Sequence, residues 1–260
     1  MKCLEVCIDS VESAIAARDG GANRLELCSA LVIGGLSPSP ALFRAVRAQT
    51  DLPIHAMIRP RFGDFLYSAH EQAIMLSEAK FWLGAGAEGV VFGALRPDGQ
   101  LDRDVLRPLI EATPGIRHTL HRAFDLCRDP FEALEEAIAL GFDTILTSGQ
   151  APSCLQGQEL LRRLHDQAAG RIALLAGAGI NADAIPVIHA ATGILQYHLS
   201  GKQVLESGMA FRRQNVPMGL PGFSEYERWE TDTANIRRAR AALDAIPDAP
   251  PSRLSVTNLF

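Results

Sequence analysis

Two cysteines occupy matching positions near the ends of the first two predicted strands. Cys7 lies in LEVCIDS, and Cys28 lies in GGANRLELCSAL. Thiolates on neighbouring strands can come close enough to share a soft metal ion such as Cu(I), with the thioether of Met57 as a further ligand. The alternative is that both thiols are buried and serve as small hydrophobic side chains. The pair therefore predicts either a copper site or a part of the core.

Two glutamates share the strand faces of these cysteines. Because successive side chains of a strand point to opposite faces, Glu5 lies with Cys7, and Glu26 lies with Cys28. A buried carboxylate is costly unless it is paired, so we expect both glutamates to face Arg59, Arg61 or Arg122. Glu5 and Glu26 are candidates for a general acid and base. The alternative is a set of structural ion pairs.

The loop after the third predicted strand carries two arginines, Arg59 and Arg61, on either side of Pro60. Proline stiffens the backbone between them. We therefore expect both guanidinium groups to bind one anion with bidentate geometry. Together with Arg122, they form a predicted anion clamp.

The motif HRAFD follows the fifth predicted strand and contains His121, Arg122 and Asp125. It brings an imidazole, a cation and a carboxylate into close order. His121 is a candidate for proton transfer or for metal binding, and Asp125 is a second catalytic candidate. A single histidine in a strand can equally be a hydrogen-bonded core residue.

Small and polar residues after the last three strands predict an anion site. Gly177 and Gly179 follow the seventh strand, and His198 and Ser200 close the eighth. In barrels of alternating strands and helices, these loops bind phosphate through backbone N–H groups and a helix N-terminus. Ser148, after the sixth strand, adds a hydroxyl donor.

Eight predicted strands must position these residues. They cover residues 4–8, 24–27, 54–58, 89–92, 117–121, 144–147, 172–176 and 194–199. Helical patterns cover residues 11–18, 41–49, 69–83, 102–112, 130–140, 155–168, 182–190 and 226–246. Eight such units predict a single TIM-type (β/α)8 barrel with a closed parallel sheet, whose active site would lie at the carboxyl ends of the strands. An open doubly wound sheet is the alternative, but no G-x-G-x-x-G motif follows the first strand.

Length and composition set the limits of the interpretation. The 260 residues are 47% hydrophobic and 21% charged, which predicts one domain over residues 1–246 and a flexible tail over 247–260. The net charge of −5 argues against nucleic-acid binding. The sequence contains no apolar run of about 18 residues. We expect no signal peptide, because Glu5 and Asp9 stand where its apolar segment would lie. Five cysteines without a C-x-x-C motif predict reduced thiols in the cytoplasm rather than disulfides or structural zinc.

Several segments resemble the CutC family of copper homeostasis proteins: LEVCIDS, GGANRLELCSAL, GGLSPS, MIRPRFGDFLYS, HRAFD, LTSGQ and AGAGI. The resemblance implies a cytosolic TIM barrel, usually a homodimer or a larger homo-oligomer, with Cu(I)-binding cysteines at Cys7 and Cys28. It also highlights the polar residues Glu5, Glu26, Arg59, Arg61, His121, Arg122, Asp125 and His198. Two features depart from the family: Phe62 stands where a second glycine is common, and the C-terminal tail is rich in proline.

Two functions remain open at this point. The first is a copper homeostasis protein that binds Cu(I), without a nucleotide cofactor. The second is an enzyme acting on a small anionic or phosphorylated metabolite, in which the glutamates and His121 transfer protons and the arginines hold the anion. Neither function requires a membrane or a nucleic acid.

Overall fold

Eight parallel strands form a closed barrel, in which β1 pairs with β2 on one side and with β8 on the other. The computed structural model describes residues 1–216, 218–219 and 222–247. The strands are β1 (Cys3–Ile8), β2 (Arg24–Leu27), β3 (Ile54–Met57), β4 (Gly89–Phe92), β5 (Arg117–Leu120), β6 (Thr144–Thr147), β7 (Ala173–Ala176) and β8 (Gln196–Leu199). The predicted TIM-type barrel is confirmed, and closure excludes the open sheet.

Helices cover the outside of the barrel. They are α1 (Val11–Asp19), α2 (Pro40–Arg47), α3 (Ala69–Ala85), α4 (Arg103–Glu111), α5 (Pro130–Leu140), α6 (Gln158–Ala168), α7 (Ala184–Thr192) and α8 (Thr233–Asp244). Contacts of α8 with both α1 and α7 complete the ring. Within the described ranges, no helix has the length and apolar character that crossing a membrane requires.

Strand parity separates an apolar face from a polar one, as predicted. Leu4, Val6 and Ile8 are fully buried in the same hydrophobic cluster as Ala14 and Ala17 of α1. This burial against helices removes apolar surface from water and stabilises the outer layer of the barrel. The polar side chains of β1 must therefore point into the barrel.

Capping residues start several helices where the sequence predicts. The Ser10 side chain accepts a hydrogen bond from the Ser13 N–H at the start of α1. Asp129, before Pro130, accepts from two N–H groups at the start of α5. Such caps satisfy N–H groups that have no partner within the helix. They fix where each helix leaves the preceding loop, and hence how that loop meets the barrel.

The C-terminal region differs from its prediction as one helix over 226–246. Its first part is a strand, β10 (Glu227–Thr231), which pairs antiparallel with β9 (Lys202–Glu206). The Lys202 ammonium lies 3.1 Å from the Trp229 ring centroid, a diagonal cross-strand contact that a helix would lose. Residues 248–260 of the predicted tail lie outside the described residues.

Candidate functional site

A cavity of about 1160 Å³ lies at the carboxyl ends of the strands. Most of the predicted site residues line it: Cys7, Glu26, Arg59, His121, Arg122, Asp125, Gly179, His198 and Ser200. The lining also includes Lys202 and Trp229 of the β9–β10 hairpin. Five predicted residues are not part of this lining: Glu5, Cys28, Arg61, Ser148 and Gly177.

Three side chains meet where β1, β2 and β8 adjoin, and we call Cys7, Glu26 and His198 the cavity base. The parallel register places Cys7 opposite Glu26 and places Glu5 opposite His198. One ligand atom from each residue of the base lies within 4.8 Å of the other two. A sulfur, a carboxylate oxygen and an imidazole nitrogen at this spacing can contact a single metal ion.

Glu5 lies beneath the cavity base, fully buried and paired on two sides. Its carboxylate accepts hydrogen bonds from Arg24 Nε and, at 2.7 Å, from His198 Nδ1. The predicted partners, Arg59, Arg61 and Arg122, are wrong for Glu5. The pairing follows from the register, which sets Glu5 directly opposite Arg24 on β2. Sequence reasoning missed Arg24, although it shares the strand face of Glu26.

These contacts shift the pKa values of the two glutamates, Glu5 and Glu26, in opposite directions. Burial opposes ionisation of Glu5, but Arg24 and His198 hold its pKa well below the usual value. Burial raises the pKa of Glu26, and the neighbouring Glu5 adds to this effect. Burial disfavours the His198 cation, yet Cys7 and both glutamates raise its pKa well above the usual value. Two carboxyl groups with divergent pKa values form a pattern that is suited to acid–base work.

Cys28 contacts Glu26 and is not part of the cavity lining. Its thiol donates to the Glu26 carboxylate at 3.5 Å, and its side chain packs against Met57. Burial and Glu26 raise the pKa of Cys28 well above the usual value. The adjacent Gly35 is tightly placed, because a Cβ there would lie 3.1 Å from the Cys28 sulfur. The register explains this placement, since Cys7 faces Glu26 and Cys28 comes two residues later.

Arg59 lines the same cavity, in what we call the cavity wall (Arg59, Phe65 and His121). Its guanidinium donates to the carbonyls of Gly34, Gly35 and Gly63 at 3.0–3.3 Å. The guanidinium carbon lies 5.0 Å from the Phe65 ring centroid. Only 7% of the residue is exposed, and its Nε has no hydrogen-bond partner. No carboxylate in the described part of the chain forms an ion pair with it.

Arg61 does not join Arg59 in the predicted clamp. It forms ion pairs with Asp64 at 2.8 Å and with Glu71 at 2.6 Å, and it lies over the Tyr67 ring. Glu71 is held in place because its carboxylate also completes the capping box of α3. Arg61 is therefore used to fix its own loop to α3, outside the cavity.

His121 lines the cavity and carries a buried N–H group that has no hydrogen-bond partner among the described residues. Its Nδ1 accepts a hydrogen bond from the Ala123 N–H at 3.2 Å, which assigns the proton of the neutral ring to Nε2. Nε2 is buried and has no partner. Burial, together with the charge of Arg59, lowers the pKa of His121 to about 3. The imidazole is therefore a neutral donor that lies 4.8 Å from Phe65, centroid to centroid.

Asp125 joins the loops after β5 and β6. It accepts hydrogen bonds from Thr147 Oγ1 at 2.5 Å, from the Ser148 N–H at 3.1 Å and from Arg122 Nε at 2.7 Å. The Ser148 hydroxyl also lies 3.0 Å from Asp125 and 3.0 Å from Arg122 Nη2. These contacts occupy both carboxylate oxygens and hold Ser148 away from the cavity.

The loop after β7 differs from the predicted phosphate site. The carbonyl of Gly177 accepts from the Cys154 thiol, and Gly179 lines the cavity with a φ of +79°. Helix α7 begins at Ala184, later than predicted, and Asn181 Oδ1 accepts from two N–H groups at its start, one of them from Ala184. Those N–H groups are therefore already bonded. Ser200 lines the cavity, and its carbonyl accepts from a threonine of β10.

Comparisons with known proteins agree over most of the chain. The CutC family model matches residues 2–203. A CutC family protein of Bacteroides fragilis is 46% identical over 246 residues, covering 93% of this chain and 96% of the relative. The copper homeostasis protein cutC homolog of Mus musculus is 42% identical over 239 residues, covering 92% of this chain and 88% of the relative. A crystal structure of CutC from Streptococcus agalactiae superimposes with a TM-score of 0.72 at 26% identity, covering 77% of this chain and 99% of that one. In sequence and in structure, the chain belongs to the CutC family.

Proposed function

We propose that the protein binds Cu(I) at the cavity base as cargo in copper homeostasis. The observation that carries this proposal is the convergence of Cys7, Glu26 and His198, whose ligand atoms lie within 4.8 Å of one another. The names of the relatives, which refer to copper homeostasis, support the same metal. They do not favour the enzyme alternative.

The donor set of the base fits copper in part. A cysteine sulfur and an imidazole nitrogen suit Cu(I), whereas a carboxylate oxygen suits harder ions. Glu26 Oε1 is buried without a hydrogen-bond partner. A cation at the base would compensate this oxygen as well as bond the Cys7 sulfur.

Cys28 and Met57 provide the remaining soft atoms near the base. Met57 lines the cavity and packs against Cys28. The Cys28 thiol would have to release its proton, now donated to Glu26, before its sulfur could bind copper. We therefore propose Cys7 as the first thiolate ligand and Cys28 as the second, recruited from behind Glu26.

Titration of the reduced protein with Cu(I) against a competing chelator tests the site. We expect Cys7→Ser to weaken binding by about a hundredfold or more and Cys28→Ser to weaken it less, because Cys7 is part of the cavity base and Cys28 does not line the cavity. Cys127→Ser is the matched control, since this buried cysteine lies outside the cavity lining. X-ray absorption of the loaded protein then counts the sulfur ligands. Unchanged affinity in Cys7→Ser contradicts the proposal.

The cellular setting is part of the proposal. All five cysteines are free thiols, as a reducing compartment would keep them, and we place the protein in the cytoplasm. We also expect a homodimer or a larger homo-oligomer. Cell fractionation tests the location, and light scattering after size-exclusion chromatography tests the assembly.

A further inference from the structure

Among the described residues, two hydrogen-bond donors on the cavity wall have no partner. They are Arg59 Nε and His121 Nε2, and both atoms are buried. Both side chains line the cavity and lie against the ring of Phe65. A buried donor without an acceptor costs free energy, and buried polar groups in native proteins are nearly always satisfied. The wall is therefore incomplete without an acceptor.

The charge of Arg59 requires the same kind of partner. Its guanidinium donates to three backbone carbonyls and lies close to the neutral Tyr67 hydroxyl, and no carboxylate of the described residues pairs with it. A buried cation without a counter-ion is strongly disfavoured. The neighbouring His121 ring is neutral and donates from Nε2, so it adds a donor without adding a second charge.

Copper cannot supply what the wall lacks. A metal cation at the base accepts electron pairs from ligands, whereas N–H groups need an atom that offers them. The ligand of the wall must therefore carry an anionic oxygen. The cavity of about 1160 Å³ is large enough for a whole small molecule, well beyond a single ion.

We propose that the cavity wall binds the oxyanion of a small molecule, a carboxylate or a phosphate group, through Arg59 Nε–H and His121 Nε2–H. The guanidinium supplies the charge, and the imidazole supplies a second, directional donor. Phe65 packs against both side chains. Arg61 has no part in this site, because its ion pairs hold it outside the cavity.

Calorimetric titration of the metal-free protein with two probes tests the proposal. Inorganic phosphate represents the phosphate arm, and malonate represents the carboxylate arm. We expect at least one probe to bind and to raise the thermal unfolding temperature. The arm with the higher affinity identifies the chemical class of the ligand.

Three variants assign the binding to the wall. His121→Asn keeps an acceptor for the Ala123 N–H but removes the distal donor, and we expect it to bind about tenfold more weakly or worse. His121→Gln, which can place an amide donor near the position of Nε2, should recover part of this loss. Arg59→Lys keeps the positive charge but lacks the planar set of N–H donors of the guanidinium, and it should also bind the probes more weakly. Arg61→Lys is the matched control and should bind as the unmodified protein does.

Two further measurements keep the test decisive. Cys7→Ser should bind the probes unchanged, which separates this site from the copper site. Amide resonances of Gly34, Gly35 and Gly63 in the unmodified protein should shift on adding a probe, because Arg59 contacts their carbonyls. Equal affinities in all variants, or no binding and no shifts with either probe, would overturn the proposal.

Discussion

The two sides of the cavity differ in how their buried charges are compensated. At the base, the Glu5 carboxylate is paired with Arg24 and with His198, all within the barrel. At the wall, Arg59 is nearly as buried, but the groups that it meets are uncharged: carbonyl oxygens, the Phe65 ring and the Tyr67 hydroxyl. Self-compensated charges position a site, whereas an uncompensated charge identifies what the site must receive. The same cavity contains both.

Removing Arg24 should produce the largest effect. Arg24→Met leaves the fully buried Glu5 with only His198 as a partner, and we expect a loss of about 3–5 kcal/mol in the free energy of unfolding. Urea denaturation at pH 7 measures it. Adding Glu5→Gln to the same chain should restore part of the loss, because no buried carboxylate then lacks its cation. If Arg24→Met alone is as stable as the unmodified protein, the pairing of Arg24 with Glu5 is contradicted.

His121 should make stability depend on pH in one direction. Its pKa of about 3 in the folded protein lies below the usual 6.5. In mild acid, His121 is therefore protonated in the unfolded chain but stays neutral in the folded protein. The free energy of unfolding should therefore fall as the pH decreases from about 6.5 towards 3. We expect the unmodified protein to lose about 2 kcal/mol more than His121→Gln between pH 7 and pH 5. Parallel pH curves for the two proteins would show that the imidazole is not buried as neutral.

Removing Arg59 should cost much less stability than removing Arg24. Arg59→Met frees three carbonyls but also removes a buried charge that has no counter-ion, and these two effects oppose each other. We expect a change of about 1 kcal/mol or less in urea denaturation without added anions. A loss as large as that of Arg24→Met would mean that the wall, like the base, is internally compensated.

Arg61 should have the smallest effect of the four. Its ion pairs with Asp64 and Glu71 lie at the protein surface, where solvent and salt screen them. Arg61→Met should leave the urea midpoint within experimental error at 0.15 M salt, an ionic strength at which charges are screened over about 8 Å. A clear destabilisation would show that this loop carries more of the fold than its exposure suggests.

Strand parity predicts most of the fold and the composition of the cavity. Alternation in β1 and β2 separates the apolar from the polar side chains, and the structure keeps that separation. Positions near strand ends place Cys7, His121 and His198 at one end of the barrel. Strand alternation and position near a strand end are local properties, so they can be predicted from a single sequence.

Strand register and the direction of a loop depend on distant parts of the chain. The predictions that depended on them, the pairing of Cys7 with Cys28 and of Arg61 with Arg59, were wrong. Closing a barrel staggers its strands, so Cys7 meets Glu26 rather than its apparent equivalent, Cys28. Arg61 lies outside the cavity because it pairs with the Glu71 carboxylate of α3, ten residues later in the chain. The segment of β10 has charged residues that suit a helix equally well, and it is a strand because it pairs with β9.

Gly35 links the two sides of the cavity through its backbone. Its carbonyl accepts from Arg59, and its Cα stands so close to the Cys28 sulfur that a Cβ would lie 3.1 Å from that atom. A shift of this one residue therefore changes the surroundings of both a proposed copper ligand and the proposed anion ligand. If either ligand displaces Gly35, binding at the two places is thermodynamically coupled. Such coupling is reciprocal: whatever factor the anion applies to the affinity for copper, copper applies to the affinity for the anion.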